Sequence, residues 1–455
     1  MKTNIRVFRN LALLGFLIMW ATTVSIAGYK DVFPFSINQI KLPNGLQILA
    51  VPFDSPGVIA FLTVVRTGSR NEIEPGCSGF AHFFEHIMFK GTKKFPGPAR
   101  DRELMLVGAE SNAFTSEDFT CYHVVGPKSS LEKIMEIEAD RFLNLTYTED
   151  DLKTEATVIL GEYQKSSSSP YTILEEKLRD LAFTKHTYKH TVIGFLDDIK
   201  NMPNQYEYSL RFHARGYGPE DCAVLVVGDV DPANLEKLAR KFYGSWKPGK
   251  AQPAPAPDPE PPQVEGKSAH VDWKNETLPI VYFGYHVPAF SDLNPDGPAL
   301  DVLSKLVFSQ ISPLYKKLVL DEQKVESIGA DPCLYRDAYL FTIIARVKDA
   351  RDLDYVRQVI LDSLNDATRV LFPREELAAV KSACRYGFAM GLDSPQGAAF
   401  ALAGYLSLTG DPRSINRYYR NLDLVSPLDI LRVARRYFNP GNRTIVTLTH
   451  EGAKW

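Results

Sequence analysis

Apolar and polar residues alternate from Ile37 to Pro52 (INQIKLPNGLQILAVP), and Asn44-Gly45 in the middle of that alternation predicts a hairpin. Gly57 to Thr67 (GVIAFLTVVRT) predicts a strand carrying β-branched residues throughout, and a helix containing HFFEH follows it. Asn112 to Val125 reads as one strand. Ser130 to Leu143 and Glu149 to Lys165 place apolar residues at helical spacing, Ala223 to Gly228 (AVLVVG) reads as a buried strand, and Asp231 to Phe242 as the helix after it. Strands and helices mix without a regular βαβ alternation. The prediction is therefore an α+β fold of antiparallel-rich sheets packed with helices.

The pattern breaks at residues 247–266, KPGKAQPAPAPDPEPPQVEG, whose prolines hold the chain extended and keep it out of a core. This stretch is the expected linker between a first domain at 33–246 and a second at 267–455. The second half repeats the order of the first: PIVYFGYHV, Pro279 to Val287, matches the strand before the first helix, and PALDVLSKLVF, Pro298 to Phe308, matches FAHFFEHIMF, Phe80 to Phe89. PREELAAVKSACRYG, Pro373 to Gly387, matches TEDDLKTEATVILGE, Thr148 to Glu162. In this register Asp301, Ser304 and Lys305 stand opposite His82, Glu85 and His86, while Val380 and Gly387 stand opposite Glu155 and Glu162. The second copy keeps the pattern of the fold and loses a set of polar residues, which separates residues that shape the fold from residues that carry chemistry.

With 455 residues, 45% hydrophobic and 24% charged, the chain can bury two sizeable cores. A net charge of -3 and a pI near 6.3 provide no basic field to neutralise phosphates, so no nucleic-acid partner is expected. Lys2, Arg6 and Arg9 precede an apolar run from Leu11 to Ala27, with Ser25 and Ala27 where a signal peptidase reads, which predicts a signal peptide at 1–27 and export to the periplasm or beyond. If the signal is retained, the same run becomes a membrane anchor. Cys77, Cys121, Cys222, Cys333 and Cys384 are scattered without CxxC spacing, the pattern of core residues; one disulfide after export stays open.

Positions i, i+3 and i+4 share one face of a helix, so His82, Glu85 and His86 project together from GFAHFFEHIMF. Two imidazoles one turn apart can hold a single Zn²⁺, and the carboxylate between them can take a proton from metal-activated water. The order is HxxEH, the inverse of HExxH. Such a trio can arise by chance, but among nine histidines that is rare, and the phenylalanines and isoleucine of the same helix already supply its apolar contacts. A catalytic zinc needs a third protein ligand. Glu155 and Glu162, two turns apart on the helix that follows, can supply one ligand and one group that orients a ligand; spacing leaves open which does which.

These residues resemble the pitrilysin, insulin-degrading enzyme and mitochondrial processing peptidase family of zinc metallopeptidases. The likeness runs through HFFEHIMFKGT, SNAFTSEDFTCYHV, the helix with Glu155 and Glu162, HTYKHTVIG and RFHARGYGPEDCAVLVVGD. It implies that His82, His86 and Glu162 ligate zinc, that Glu85 is the general base, that Glu155 supports the site, and that a peptide substrate pairs as a strand with the backbone of Asn112, Ala113 and Phe114. Phe89 and Phe114 are candidates for an apolar pocket beside the cut bond, although rings of this kind are commonly core. One departure stands out. Where members that complete the site alone carry an Arg and, seven positions on, a Tyr in the second domain, this chain has Val319 and Glu326 in SPLYKKLVLDEQKVESIGA, and neither is a donor of that kind. The resemblance then implies a heterodimer with a homologous zinc-free subunit that supplies the Arg and Tyr, unless Tyr315 and Lys316 take over. Competing readings are a non-catalytic, chaperone-like protein-binding subunit and a periplasmic metal carrier, the latter leaving Glu85 without a task.

Overall fold

The runs with the fewest polar residues, Val58–Val65 (β3) and Cys222–Gly228 (β6), become neighbouring strands in the middle of a sheet, as expected of segments buried on both faces. The computed structural model describes residues 31–249, 256–332 and 334–453. Its first sheet adds Asn38–Lys41 (β1), Gln47–Pro52 (β2), Glu110–Thr115 (β4) and Thr120–Pro127 (β5), in the order β1-β2-β6-β3-β5-β4. The second contains Lys267–Trp273 (β7), Ile280–Val287 (β8), Val325–Asp331 (β9), Tyr339–Val347 (β10) and Arg443–His450 (β11), in the order β7-β11-β8-β10-β9. Parallel pairing joins β2 to β6 and β7 to β11, and every other neighbouring pair of these strands is antiparallel. Strand for strand, the second sheet repeats the first without β1, as duplicated domains should. The fold is mixed α and β in two related domains.

Alternation along the strands divides the first sheet into two apolar faces. Ile48, Ala50, Ile59, Phe61, Val224 and Val226 face a core shared with helices Phe80–Ile87, Leu131–Leu143, Glu149–Ser166 and Pro232–Tyr243. Leu49, Val51, Ala60, Leu62, Leu225 and Val227 face the other way, where helix Pro395–Thr409 of the second half covers them with Ala398, Ala399, Leu402, Ala403 and Leu406. The exchange is reciprocal: helix Pro170–Ala182 of the first half lays Leu174, Leu178 and Ala182 on Ile280, Leu340, Val446 and Leu448 of the second sheet. Each half thus closes the open face of the other, and each buried Leu contributes about 1.5–3 kcal/mol.

Polar groups fix how the halves meet. Asp337 takes hydrogen bonds from Arg70 and from His186 Nε2 at 3.0 Å. Burial works against ionisation of Asp337, but these two partners outweigh it and hold its pKa well below the usual carboxylate range. Close by, Asp118 accepts from the Tyr188 hydroxyl at 2.6 Å and from the Arg336 amide at 2.8 Å.

Two expectations change. Residues 112–125 form a hairpin and not one strand: the amide of Ser116 donates to the Phe119 carbonyl at 2.8 Å, and the polar Ser-Glu-Asp stretch turns the chain between β4 and β5. The latter part of the linker is without regular secondary structure but tied down, since Glu260 accepts the amides of Thr184, Lys185 and His186, and Gln263 donates to the Gly441 and Arg443 carbonyls. The signal peptide expected at 1–27, Cys333 and linker residues 250–255 lie outside the described residues. Cys77, Cys121, Cys222 and Cys384 are free thiols, with Cys121 and Cys222 in the core. No helix among the described residues is long and apolar enough to cross a membrane.

Candidate metal centre

The helix carrying HxxEH starts at Gly79, whose φ of 92° suits glycine and whose missing Cβ avoids the Ile193 carbonyl at 2.7 Å. Glu72, on the loop before it, accepts the amides of Gly79 at 2.7 Å and Ala81 at 2.6 Å, so two otherwise orphaned helix donors are satisfied from inside the protein. Burial nevertheless pushes the Glu72 carboxyl up to about 8. Phe80, Ala81, Phe83, Phe84 and Ile87 are buried, which leaves His82, Glu85 and His86 on the remaining face.

Glu149–Ser166 packs across that face. A capping box starts it: the Thr148 hydroxyl accepts the Asp151 amide while Asp151 accepts the Thr148 amide, and three acidic residues occupy the first turn. Leu152, Ala156 and Ile159 anchor the helix, with Glu155 buried and Glu162 open to solvent.

Glu162 Oε2 lies 3.5 Å from His82 Nε2 and 3.5 Å from His86 Nε2. His82, His86 and Glu162 form a potential metal-holding group, one donor atom from each lying within 4.8 Å of the others. Donors that share a tetrahedral ion at about 2.0 Å sit roughly 3.3 Å apart, so two imidazoles and a carboxylate at this spacing fit zinc in chemistry and in size. Glu155 takes the other side of the ring, with Oε2 3.4 Å from His86 Nδ1 and Oε1 2.7 Å from Lys90 Nζ. That contact leaves His86 Nε2 facing Glu162.

The electrostatics sort the same residues. Burial, helped by His86, lowers the pKa of His82 to about 4. For His86 burial pulls down but is outweighed by the hydrogen bond to Glu155 and the charge of Glu162, so its pKa rises. Burial raises Glu85, against the hydrogen bond from Thr115 Oγ1 at 2.6 Å. The hydrogen bond with His86 leads a net lowering of Glu155.

Asn112, Ala113 and Phe114 lie on β4, the edge of the first sheet, paired among the described residues to β5 on one side only. The Ala113 amide donates to Asn112 Oδ1 at 2.8 Å. Ala113 joins the core containing the metal helix, whereas the Phe114 ring turns to the opposite face, against Phe119 and against Phe400 of the second half. Phe89 is covered by the guanidinium groups of Arg100 and Arg141 at 5.1 and 5.5 Å. Both rings are structural contacts here. Thr115, Lys90 and Glu72 are the residues that sequence reasoning passed over; strand alternation from Ala113 and the i+4 spacing from His86 would have pointed to the first two.

In the second half, helix Asp296–Phe308 packs on Arg374–Met390 as Phe80–Ile87 does on Glu149–Ser166. Asp301, Lys305, Val380 and Gly387 line one cavity of about 560 Å³ there, so the positions aligned with His82, His86, Glu155 and Glu162 also converge in space. Val319 is half-buried against the second core, and Glu326 on β9 is paired with Arg346 at 2.6 Å.

Comparison with known proteins agrees with this architecture. Residues 58–194 match the insulinase (peptidase family M16) model, and residues 205–384 the peptidase M16 inactive domain. The zinc protease PqqE of Helicobacter pylori is 30% identical over 440 residues, covering 96% of this chain and 98% of that one. A crystal structure of a protease from Helicobacter pylori superposes with a TM-score of 0.85 at 31% identity, covering 91% of this chain and 99% of that one. The periplasmic protease PqqL of Escherichia coli shares the fold at a TM-score of 0.74 and 19% identity, over 91% of this chain and 47% of that one. The chain belongs to the insulinase family, peptidase family M16.

Proposed function

We propose that this chain is the zinc-bearing subunit of an exported metalloendopeptidase acting on peptides or unfolded protein segments. The observation that carries the reading is the convergence of His82 Nε2, His86 Nε2 and Glu162 Oε2, with Glu85 on the same helix and an open sheet edge beside it. His82, His86 and Glu162 would hold the zinc. Zinc held there would supply polarisation of a carbonyl and a lowered pKa for water. Glu85 is the general base, accepting a proton from the attacking water and returning it to the leaving amine. Glu155 keeps the His86 ring in orientation through Nδ1. The backbone of Asn112, Ala113 and Phe114 receives the substrate as an added strand, a substrate carbonyl taking the place of Asn112 Oδ1 on the Ala113 amide.

A homologous zinc-free subunit completes the site. Val319 packs in the second core and Glu326 is an anion engaged by Arg346, so neither can donate to a developing oxyanion. An Arg and a Tyr from the partner supply that role. Hydrolysis of a quenched fluorescent peptide library is expected from the mixture of the two chains, to be lost with a chelator, and to be absent from either chain alone. Full activity of this chain alone would remove the need for the partner. Glu85→Gln should keep the zinc content and abolish cleavage; a parent chain that binds peptides without cutting them, in any mixture, would favour the non-catalytic subunit instead.

A further inference from the structure

We propose that Thr115 is a positioning residue for Glu85, and that the second half of the chain holds it in place through the turn from Ser116 to Phe119; this rests on the peptidase reading above. The Thr115 hydroxyl donates to Glu85 Oε2 at 2.6 Å. The carboxylate is thereby tied to β4 through the Thr115 hydroxyl, with the Thr115 backbone amide a second donor to it. A glutamate on a helix surface has three rotatable bonds, and a charge-assisted hydrogen bond from a β-branched residue on a strand removes much of that freedom.

Thr115 is the last residue of β4 and pairs with Thr120, the first of β5, so the turn between them sets where its hydroxyl points. That turn is fastened on several sides. The amides of Ser69 and Arg70 donate to the carbonyls of Ser116 and Glu117 at 3.3 and 2.8 Å, an approach that a Cβ on Gly68 would block at 2.4 Å. The Glu117 carboxylate accepts from Arg179 at 2.9 Å. Asp118 is buried and joins Tyr188 to the Arg336 amide of the second half. A continuous chain of contacts therefore runs from Arg336 through Asp118 and the turn to Thr115 and Glu85.

The test compares Thr115→Val, which keeps the shape and loses the hydroxyl, with Thr115→Ser, which keeps the hydroxyl, in the zinc-loaded full chain assayed with its zinc-free homologue. Thr115→Val is expected to lower kcat about 10- to 100-fold with KM within about twofold and zinc content unchanged, and Thr115→Ser to recover to within about threefold of the parent. A kcat for Thr115→Val within about twofold of the parent, or equal losses in both variants, overturns the assignment. Asp118→Ala should lower kcat in the same way, and its effect should not add to that of Thr115→Val. Additive losses overturn the part assigned to the second half. Crystal structures of the zinc-loaded parent and Thr115→Val provide a readout independent of activity: the Glu85 carboxylate should leave its place in the variant, and a Glu85 that stays overturns the inference. If the parent cleaves nothing in any mixture, the peptidase reading fails on its own, while the position of Glu85 still decides the role of Thr115.

Discussion

His86 is held between two glutamates that do different work, although spacing alone makes Glu155 and Glu162 equivalent. Both lie on the same face of one helix, seven residues apart. Their roles separate only because that helix crosses Phe80–Ile87 so that Glu162 meets both Nε2 atoms while Glu155 meets Nδ1 and Lys90. Replacing Glu155 by Ala is expected to weaken zinc binding about 10- to 100-fold by freeing the His86 ring. Glu162→Ala removes a ligand and should cost far more. Competition with a chromogenic chelator ranks the two, and equal losses would contradict the division of roles.

Among the elements, those with strong periodicity are legible in the sequence. The Asn44-Gly45 hairpin, the strand at Val58–Val65 and the helix at Glu149–Ser166 appear where alternation, turn residues and the Thr148 cap place them. The β4–β5 hairpin is misread as one strand because apolar residues resume on both sides of the turn, and the signal that ends the strand is only three polar residues long. Helix Pro395–Thr409 is a different case: PQGAAFALAGYLSLT is apolar, but its partner is a sheet whose strands all lie more than 160 residues earlier in the chain. Its alanines let the helix approach that sheet closely, and Leu402 is fully buried. Leu402→Ala is expected to cost about 2–5 kcal/mol in denaturant unfolding. Leu428→Ala, on an exposed side chain, should cost little, and similar losses from both would argue against the exchanged packing.

At the scale of the whole molecule, the exchanged helices and the buried polar contacts make the halves mutually dependent. Asp337 tests this. Its folded pKa is depressed below the ordinary carboxylate value by His186 and Arg70, despite the opposing effect of burial. The stabilisation it confers is therefore present above the unfolded pKa, near 4, and is lost as pH falls through and below that value. Asp337→Asn should melt at a lower temperature than the parent at pH 7, and the gap should close as the pH is taken below about 4. A gap that stays constant across the range would show that ionisation of Asp337 contributes nothing to the joining of the halves.

The sequence by itself determined the two related domains, most of the strands and helices, and the shared helix face of His82, Glu85 and His86, because each of these depends on periodicity, turn chemistry or spacing within one short segment. Helical geometry puts i, i+3 and i+4 on one face whatever the rest of the chain does. Spacing left open which glutamate meets the imidazoles, although the family resemblance pointed to Glu162; only the tertiary structure decided the geometry that separates the two, which face of β4 holds Phe114 and which holds Thr115, and that each half covers the other's sheet. Those outcomes depend on crossing angles and contacts between segments distant in the chain, to which local pattern carries no record.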